Sequence, residues 1–302
     1  MNESGSTSPM RILVGVDGSA GSESALRWAL REAAARDAVV TALLAWTPGG
    51  IPRNVYRQAV AADHDGLTRA GIEIVEATVS RVGRPDPPDR LETVIVQGHP
   101  VDVLAEHAAG ARADLIVVGR RGAGAARRRL IGSVSQRLVE HSPVPVVVAR
   151  DSSVPLDDRR PVVVGVDGSA FSLAALRWAA GAAAAHHAPL RVVHAWAGLD
   201  PLYSDMLLSG DAVGHLAQKI LDDTVKLGLD EAPDVDVTTV VASRPPALAL
   251  LSESEDAQLL VVGSRGHGGF PTLALGSVSH QCVQHAACSV AVVRADQLPS
   301  TG

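Results

Sequence analysis

Gly119-Arg120-Arg121-Gly122, then nine residues, then Gly132-Ser133-Val134 is a spacing that can wrap an anion, and the chain carries it twice. The second occurrence reads Gly263-Ser264-Arg265-Gly266, again nine residues, then Gly276-Ser277-Val278. Glycine has no Cβ, so backbone N–H groups can close on a bound group. A helix that opens at Gly132-Ser133 or Gly276-Ser277 aims unsatisfied N–H groups and a partial positive charge at whatever precedes it. Ser133 and Ser277 can donate a hydroxyl hydrogen bond to a phosphate oxygen, or serve as ordinary helix N-caps. One such glycine reads as a turn former; four positions matched in two places read as phosphate binding. No GxxxxGK[ST] occurs, which excludes a P-loop NTPase. Nor does GxGxxG follow the first apolar run, as a dinucleotide-binding domain requires.

Gly15-Val16-Asp17-Gly18-Ser19 and Gly165-Val166-Asp167-Gly168-Ser169 form the second matched pair. Asp17 and Asp167 are candidate ligand carboxylates or candidate N-caps of the helices that follow. Between the glycines, the first copy has Arg127, Arg128 and Arg129, which could neutralise a triphosphate or lie on a solvated face. The second copy has Gly268 to Leu273 there, with no Lys or Arg, leaving Arg265 and His267 as its nearby candidates. Weaker phosphate binding in the second copy is the expectation, to be read in single-site variants of Gly119 and Gly263. Hydrolysis of a nucleotide needs a positioned water, a base and acidic side chains for Mg²⁺. Residues 119–133 and 263–277 contain no carboxylate. His99, His107, His141, His194, His267, His280 and His285 share no position with a nucleophile across the copies, so fast catalysis is not expected. His280 and His285 stand five apart, a poor spacing for one metal on a helix face.

These residues hang on an internal duplication. Gly15 to Ala20 recurs letter for letter as Gly165 to Ala170, and Ala25-Leu26-Arg27-Trp28-Ala29 as Ala175 to Ala179, both offset by 150. Ala45-Trp46 returns as Ala195-Trp196. Val117-Val118-Gly119 and Gly132-Ser133-Val134-Ser135 return at an offset of 144. Within the first copy, residues 12–16, 39–45, 92–97, 115–118 and 144–149 read as short apolar strands. Helical patterns are predicted over 22–36, from about 54 onward, over 101–109 and over 132–141, with Ala25, Leu26, Ala29, Leu30 and Ala33 on one face. Strands without polar alternation imply a parallel sheet covered on both faces. The predicted fold is α/β: two tandem Rossmann-like or flavodoxin-like domains, 1–150 and 151–302, each a five-stranded parallel sheet with helices on both faces. Residues 1–10 read as a disordered tail and 150–160 as a linker. In such a sheet the ligand sits at the carboxyl ends of the strands, where both matched pairs fall. The last strands, 144–149 and 289–293, are expected at sheet edges, which invite pairing. That makes the two copies an internal pseudo-dimer and leaves room for a homodimer.

The totals agree with a globular protein of about two domains. Hydrophobic residues are 46%, aromatics only 3%, and the net charge is −6, which argues against sequence-independent nucleic-acid binding. Cys282 and Cys288 match no redox or zinc spacing and read as buried thiols in a reducing compartment. With no signal-peptide pattern and no run of about 18 apolar residues, the sequence reads as soluble and cytoplasmic, without a membrane partner.

The GxxG, nine residues, then Gly-Ser pattern, together with Gly-Val-Asp-Gly-Ser and Ser142-Pro143-Val144-Pro145-Val146-Val147-Val148, resembles the ATP-binding subgroup of the universal stress proteins. The resemblance covers both copies nearly end to end, in the tandem two-domain form. It implies ATP as the ligand, with Mg²⁺ left open as its companion. Asp17 and Asp167 would lie beside the adenosine, with Gly15 and Gly165 just before them, and Ala45 and Ala195 against the adenine. Gly119, Arg120, Arg121, Gly122, Arg129, Gly132, Ser133 and Val134 would wrap the ribose and phosphates in the first copy. Gly263, Ser264, Arg265, Gly266, Gly276, Ser277 and Val278 would do so in the second. It implies a regulatory or sensor protein in stress response or growth control, with a regulatory protein partner the sequence does not name. The alternatives are a slow ATPase or nucleotide-dependent transferase on the same fold, and an interaction scaffold that binds no nucleotide.

Overall fold

A computed structural model describes residues 9–47, 64–122, 131–150, 158–196, 210–230, 234–266 and 274–295. The chain divides into two compact units, Met1–Ala126 and Arg127–Gly302. The predicted helix start near residue 54, most of the tail and linker, Arg127 to Arg129, and His267 to Leu273 lie outside the described residues.

The first unit holds β1 (Arg11–Gly15), α1 (Ala20–Arg36), β2 (Val39–Trp46), α2 (His64–Val82), β3 (Leu91–Gln97), α3 (Pro100–Gly110) and β4 (Leu115–Gly119). Its strands are all parallel, in the order β3-β2-β1-β4. Ile12, Leu13 and Val14, and every residue of β4, are buried, so no polar alternation survives along the inner strands. Helices α1 and α2 pack together on one face and α3 packs on the other.

The second unit holds α4 (Ser133–His141), β5 (Val146–Ala149), β6 (Val162–Val166), α5 (Ala170–Ala185), β7 (Leu190–Trp196), α6 (Gly210–Leu229), β8 (Val237–Ser243), α7 (Pro246–Glu253), β9 (Leu259–Gly263), α8 (Ser277–His285) and β10 (Ser289–Val293). Five of its strands, in the order β10-β9-β6-β7-β8, are parallel. The chain alternates strand and helix as the periodicity predicts, with α5 and α6 on one face and α7 and α8 on the other.

Neither β5 nor β10 ends as a bare edge against the other: they pair antiparallel, Val146 with Val292, Val147 with Ala291 and Val148 with Val290. A reciprocal clasp flanks this pairing. Arg150, just past β5, donates to the Val283 carbonyl in the last turn of α8. Arg294, just past β10, donates to the Val139 and Glu140 carbonyls in the last turn of α4. Each guanidinium satisfies carbonyls that a helix end leaves without partners and sits where the dipole favours a cation. The pairing expected for the two terminal strands is therefore present within the chain.

Cys282 and Cys288 are free and buried. Burial, above all, pushes their thiols up to about 12 and about 11 from the ordinary 9.0. Both states of the chain keep these protons below pH 9; above it only the unfolded state releases them, so their contribution to stability falls as pH rises toward 11. At pH 8 a disulfide reagent is expected to leave both thiols unmodified in the native protein and to titrate both in denaturant. Rapid labelling without denaturant contradicts this.

Candidate functional site

The turn after the first strand of each copy is built the same way. Asp17 Oδ1 accepts the Ser19 amide at 3.0 Å, and Asp167 Oδ1 the Ser169 amide at 3.0 Å. Gly18 (φ 75°) and Gly168 (φ 80°) bridge the two in the left-handed region, which glycine enters without a Cβ penalty. Ser19 and Ser169 are the N-caps of α1 and α5, each accepting a backbone N–H three residues on at 3.2 Å. The caps are thus serines, and the aspartates hold the turn instead, each with one carboxylate oxygen directed elsewhere. For Asp17 that oxygen lies 2.4 Å from where a Cβ on Gly122 would stand; for Asp167, 2.2 Å from where one on Gly266 would stand.

The first glycine of each GxxG has a different neighbour. A Cβ on Gly119 would strike the Gly21 backbone, and one on Gly263 would come within 2.9 Å of the Phe171 carbonyl carbon and oxygen. These glycines let the strand end approach the first turn of α1 or α5. Their substitution therefore probes helix packing, and Gly122 and Gly266 are the positions that report on the carboxylate. Gly15 and Gly165 likewise make room for Leu104 and Leu250, whose methyl groups lie 3.2 and 2.7 Å from the respective Cβ positions.

In the second unit a cavity of about 310 Å³ opens at the carboxyl ends of β6, β7 and β9. Of the predicted residues, Gly165, Asp167, Ala195, Gly263, Arg265, Gly266, Gly276, Ser277 and Val278 all line it. Ser264 does not: it is fully buried, and its backbone bonds to Val293 and Gly276 tie the loop to β10 and to the start of α8. The cap of α8 is Gly276, which offers no side-chain acceptor, and Ser277 is the first helical residue. Neither serine of the Gly-Ser pair is an N-cap; Gly132 caps α4 in the same way, ahead of an exposed Ser133 and a half-buried Val134. The first-turn amides of α8 have no helical acceptor, and Ser277, Val278 and Ser279 all face the cavity. Ser279 also donates to the Gly263 carbonyl at 2.5 Å, fastening the helix start to the strand end.

Sequence reasoning missed Val166, Ser172, Val193, Pro246, Leu250, Val262 and Ser279 among the lining residues. Val193, Pro246 and Leu250 read as core apolar positions, whereas Val166, Val262 and Ser279 sit inside the repeated Gly-Val-Asp, Val-Val-Gly and Gly-Ser-Val-Ser runs. His194, set aside among the histidines, is buried, and its Nδ1 lies 2.8 Å from the Val166 carbonyl, one residue before Asp167.

In the first unit Asp17, Gly119 and Gly122 stand as their counterparts do, Ala45 is buried at the end of β2, and Ser19 Oγ donates to the Arg121 carbonyl at 3.4 Å. Arg120 replaces the buried Ser264. Burial and then the adjacent Arg121 charge lower its pKa from the ordinary arginine value. Arg129 lies outside the described residues. Among the described residues no group of three or more His, Cys, Asp or Glu gathers as a metal site, and no helix is long and apolar enough to cross a membrane.

A model of the universal stress protein family matches residues 9–150 and again 158–294. A universal stress protein of Mycobacterium tuberculosis is 34% identical over 301 residues, covering 96% of this chain and 98% of its own. Another, from Mycolicibacterium smegmatis, is 36% identical over 293 residues, covering 94% and 96%. The crystal structure of a universal stress protein from Archaeoglobus fulgidus superposes with a TM-score of 0.68 at 20% identity, covering 94% of this chain and 98% of that one, a likeness of fold.

Proposed function

The chain belongs to the universal stress protein family in its tandem form, and from that premise we propose that each copy, 1–150 and 151–302, holds ATP as a regulatory ligand without rapid turnover. One observation carries the reading. In the second unit a helix start with no side-chain cap, a carboxylate held in an Asp-Gly-Ser turn, and one arginine converge on a single cavity at the strand ends. Apolar Val193, Ala195 and Leu250 suit a base, Asp167 suits the ribose hydroxyls as a hydrogen-bond acceptor, and the α8 amides with Ser277 and Arg265 suit phosphate. The ligand's phosphates would carry their own Mg²⁺ where one is bound. Among the described residues of that lining none stands as a general base beside the phosphate end, and a sensor is preferred to an enzyme. On this reading the protein acts in the cytoplasm, as a homodimer, on a regulatory protein partner whose contacts depend on nucleotide occupancy.

The two sites differ in phosphate affinity. The first GxxG carries Arg120 and Arg121 where the second carries Ser264 and Arg265, so the first copy presents the stronger positive field.

The deciding experiment is to denature the freshly purified protein and chromatograph what it releases. Intact ATP, near one per copy in the first site and less in the second, is the expected result. ADP or AMP with measurable turnover would favour the slow enzyme. No bound or bindable nucleotide would leave only a scaffold.

A further inference from the structure

The second site has one feature its sequence twin lacks. Phe171 stands in the first turn of α5, where the first copy has Gly21, and its ring lies under the Arg265 guanidinium, 4.6 Å from carbon to ring centroid. Arg265 in turn lines the cavity between Gly263 and Gly266. From Gly263 to Ser277 it is the only Lys or Arg in the sequence. A guanidinium stacked on an aromatic face keeps its in-plane N–H donors available, since the ring takes only the face of the cation.

We propose that Phe171 is a positioning residue for anion recognition in the second site: its ring fixes Arg265 so that the guanidinium presents its N–H edge to the phosphate nearest the ribose. This rests on the nucleotide reading of that site. It explains how a loop with a single cation can still select a phosphorylated ligand. Stacking removes the rotamer freedom that an arginine otherwise loses on binding. The backbone of Phe171 has a separate task, the close contact with Gly263, so changing the ring alone leaves the strand-to-helix approach in place.

The test uses the full chain carrying Gly122→Val, which silences the first site, and isothermal titration with adenosine and with AMP. Phe171→Leu is expected to weaken AMP about tenfold and leave adenosine within about twofold, the size of one cation–π contact. Arg265→Gln should do the same, Phe171→Leu with Arg265→Gln should be no worse than Arg265→Gln alone, and Phe171→Tyr should restore AMP affinity. An unchanged AMP-to-adenosine ratio in Phe171→Leu, or an equal loss of both ligands, overturns the proposal while the nucleotide reading stands. Failure of the parent to bind either ligand overturns both.

Discussion

Valine at Gly122 is expected to remove the first site's share of the bound nucleotide, more than half of the total, while lowering the melting temperature by no more than about 3 °C; valine at Gly119 is expected to lower it by about 8 °C. The contrast comes from what each new side chain meets. At Gly122 it meets the Asp17 carboxylate, the far end of a rotatable side chain, which can turn aside. Swinging away gives up the bond to the Ser19 amide, worth about 1 kcal/mol. It also removes the acceptor proposed for the ribose, so affinity at the first site should fall roughly 100-fold. At Gly119 the side chain meets the backbone of Gly21, and a helix cannot swing away. Overpacking of that kind costs about 3 kcal/mol. Differential scanning calorimetry and titration with labelled ATP read the two effects separately. Wild-type stoichiometry in Gly122→Val removes the carboxylate from the site; a wild-type melting curve for Gly119→Val removes the packing account.

The second large effect is expected at the β5–β10 pairing. Val147 is fully buried opposite Ala291, and Val147→Asp places a carboxylate there without a partner. Its desolvation penalty is about 4 kcal/mol or more, enough to abolish the cooperative unfolding of the second unit at neutral pH. Burial raises the pKa of such a carboxylate, so the folded state holds its proton more tightly than the unfolded one, and stability should recover as pH falls from 8 toward 5. Thr93→Asp, on an exposed stretch of β3, is the control and should shift stability by no more than about 0.5 kcal/mol. A soluble Val147→Asp protein with the parent's melting curve at pH 8 would falsify the buried pairing.

Much of the architecture was legible because the duplication doubles every signal. Apolar runs at residues 12–16 and 115–118 sit where buried parallel strands formed, and the turn glycines landed at strand ends. The site was legible by position more than by reason. Gly119 and Gly263 look like anion contacts from spacing alone, yet each one's Cβ position faces a helix backbone, a close approach that no linear pattern encodes. Asp17 looks like an N-cap because an aspartate before a helix usually is one, but Ser19 takes that role two residues later. Val193 and Leu250 were invisible as site residues because an apolar side chain on a strand or helix reads as core wherever it points. The Phe171–Arg265 stack joins positions 94 apart that meet only through the β6–β9 crossover.

The reciprocal placement of Arg150 and Arg294 carries a consequence for dilution. Within the second unit the contact is nearly isologous: each strand and its following arginine give the other strand and its preceding helix what they receive from them. Were the two strands and their helices on separate chains, their pairing would depend on how much protein the cell made. Because both strands belong to one chain, each meets the other at an effective concentration of order millimolar, whatever the expression level. Tandem fusion thus converts a self-association governed by mass action into a folding step, and the pairing should persist at nanomolar protein.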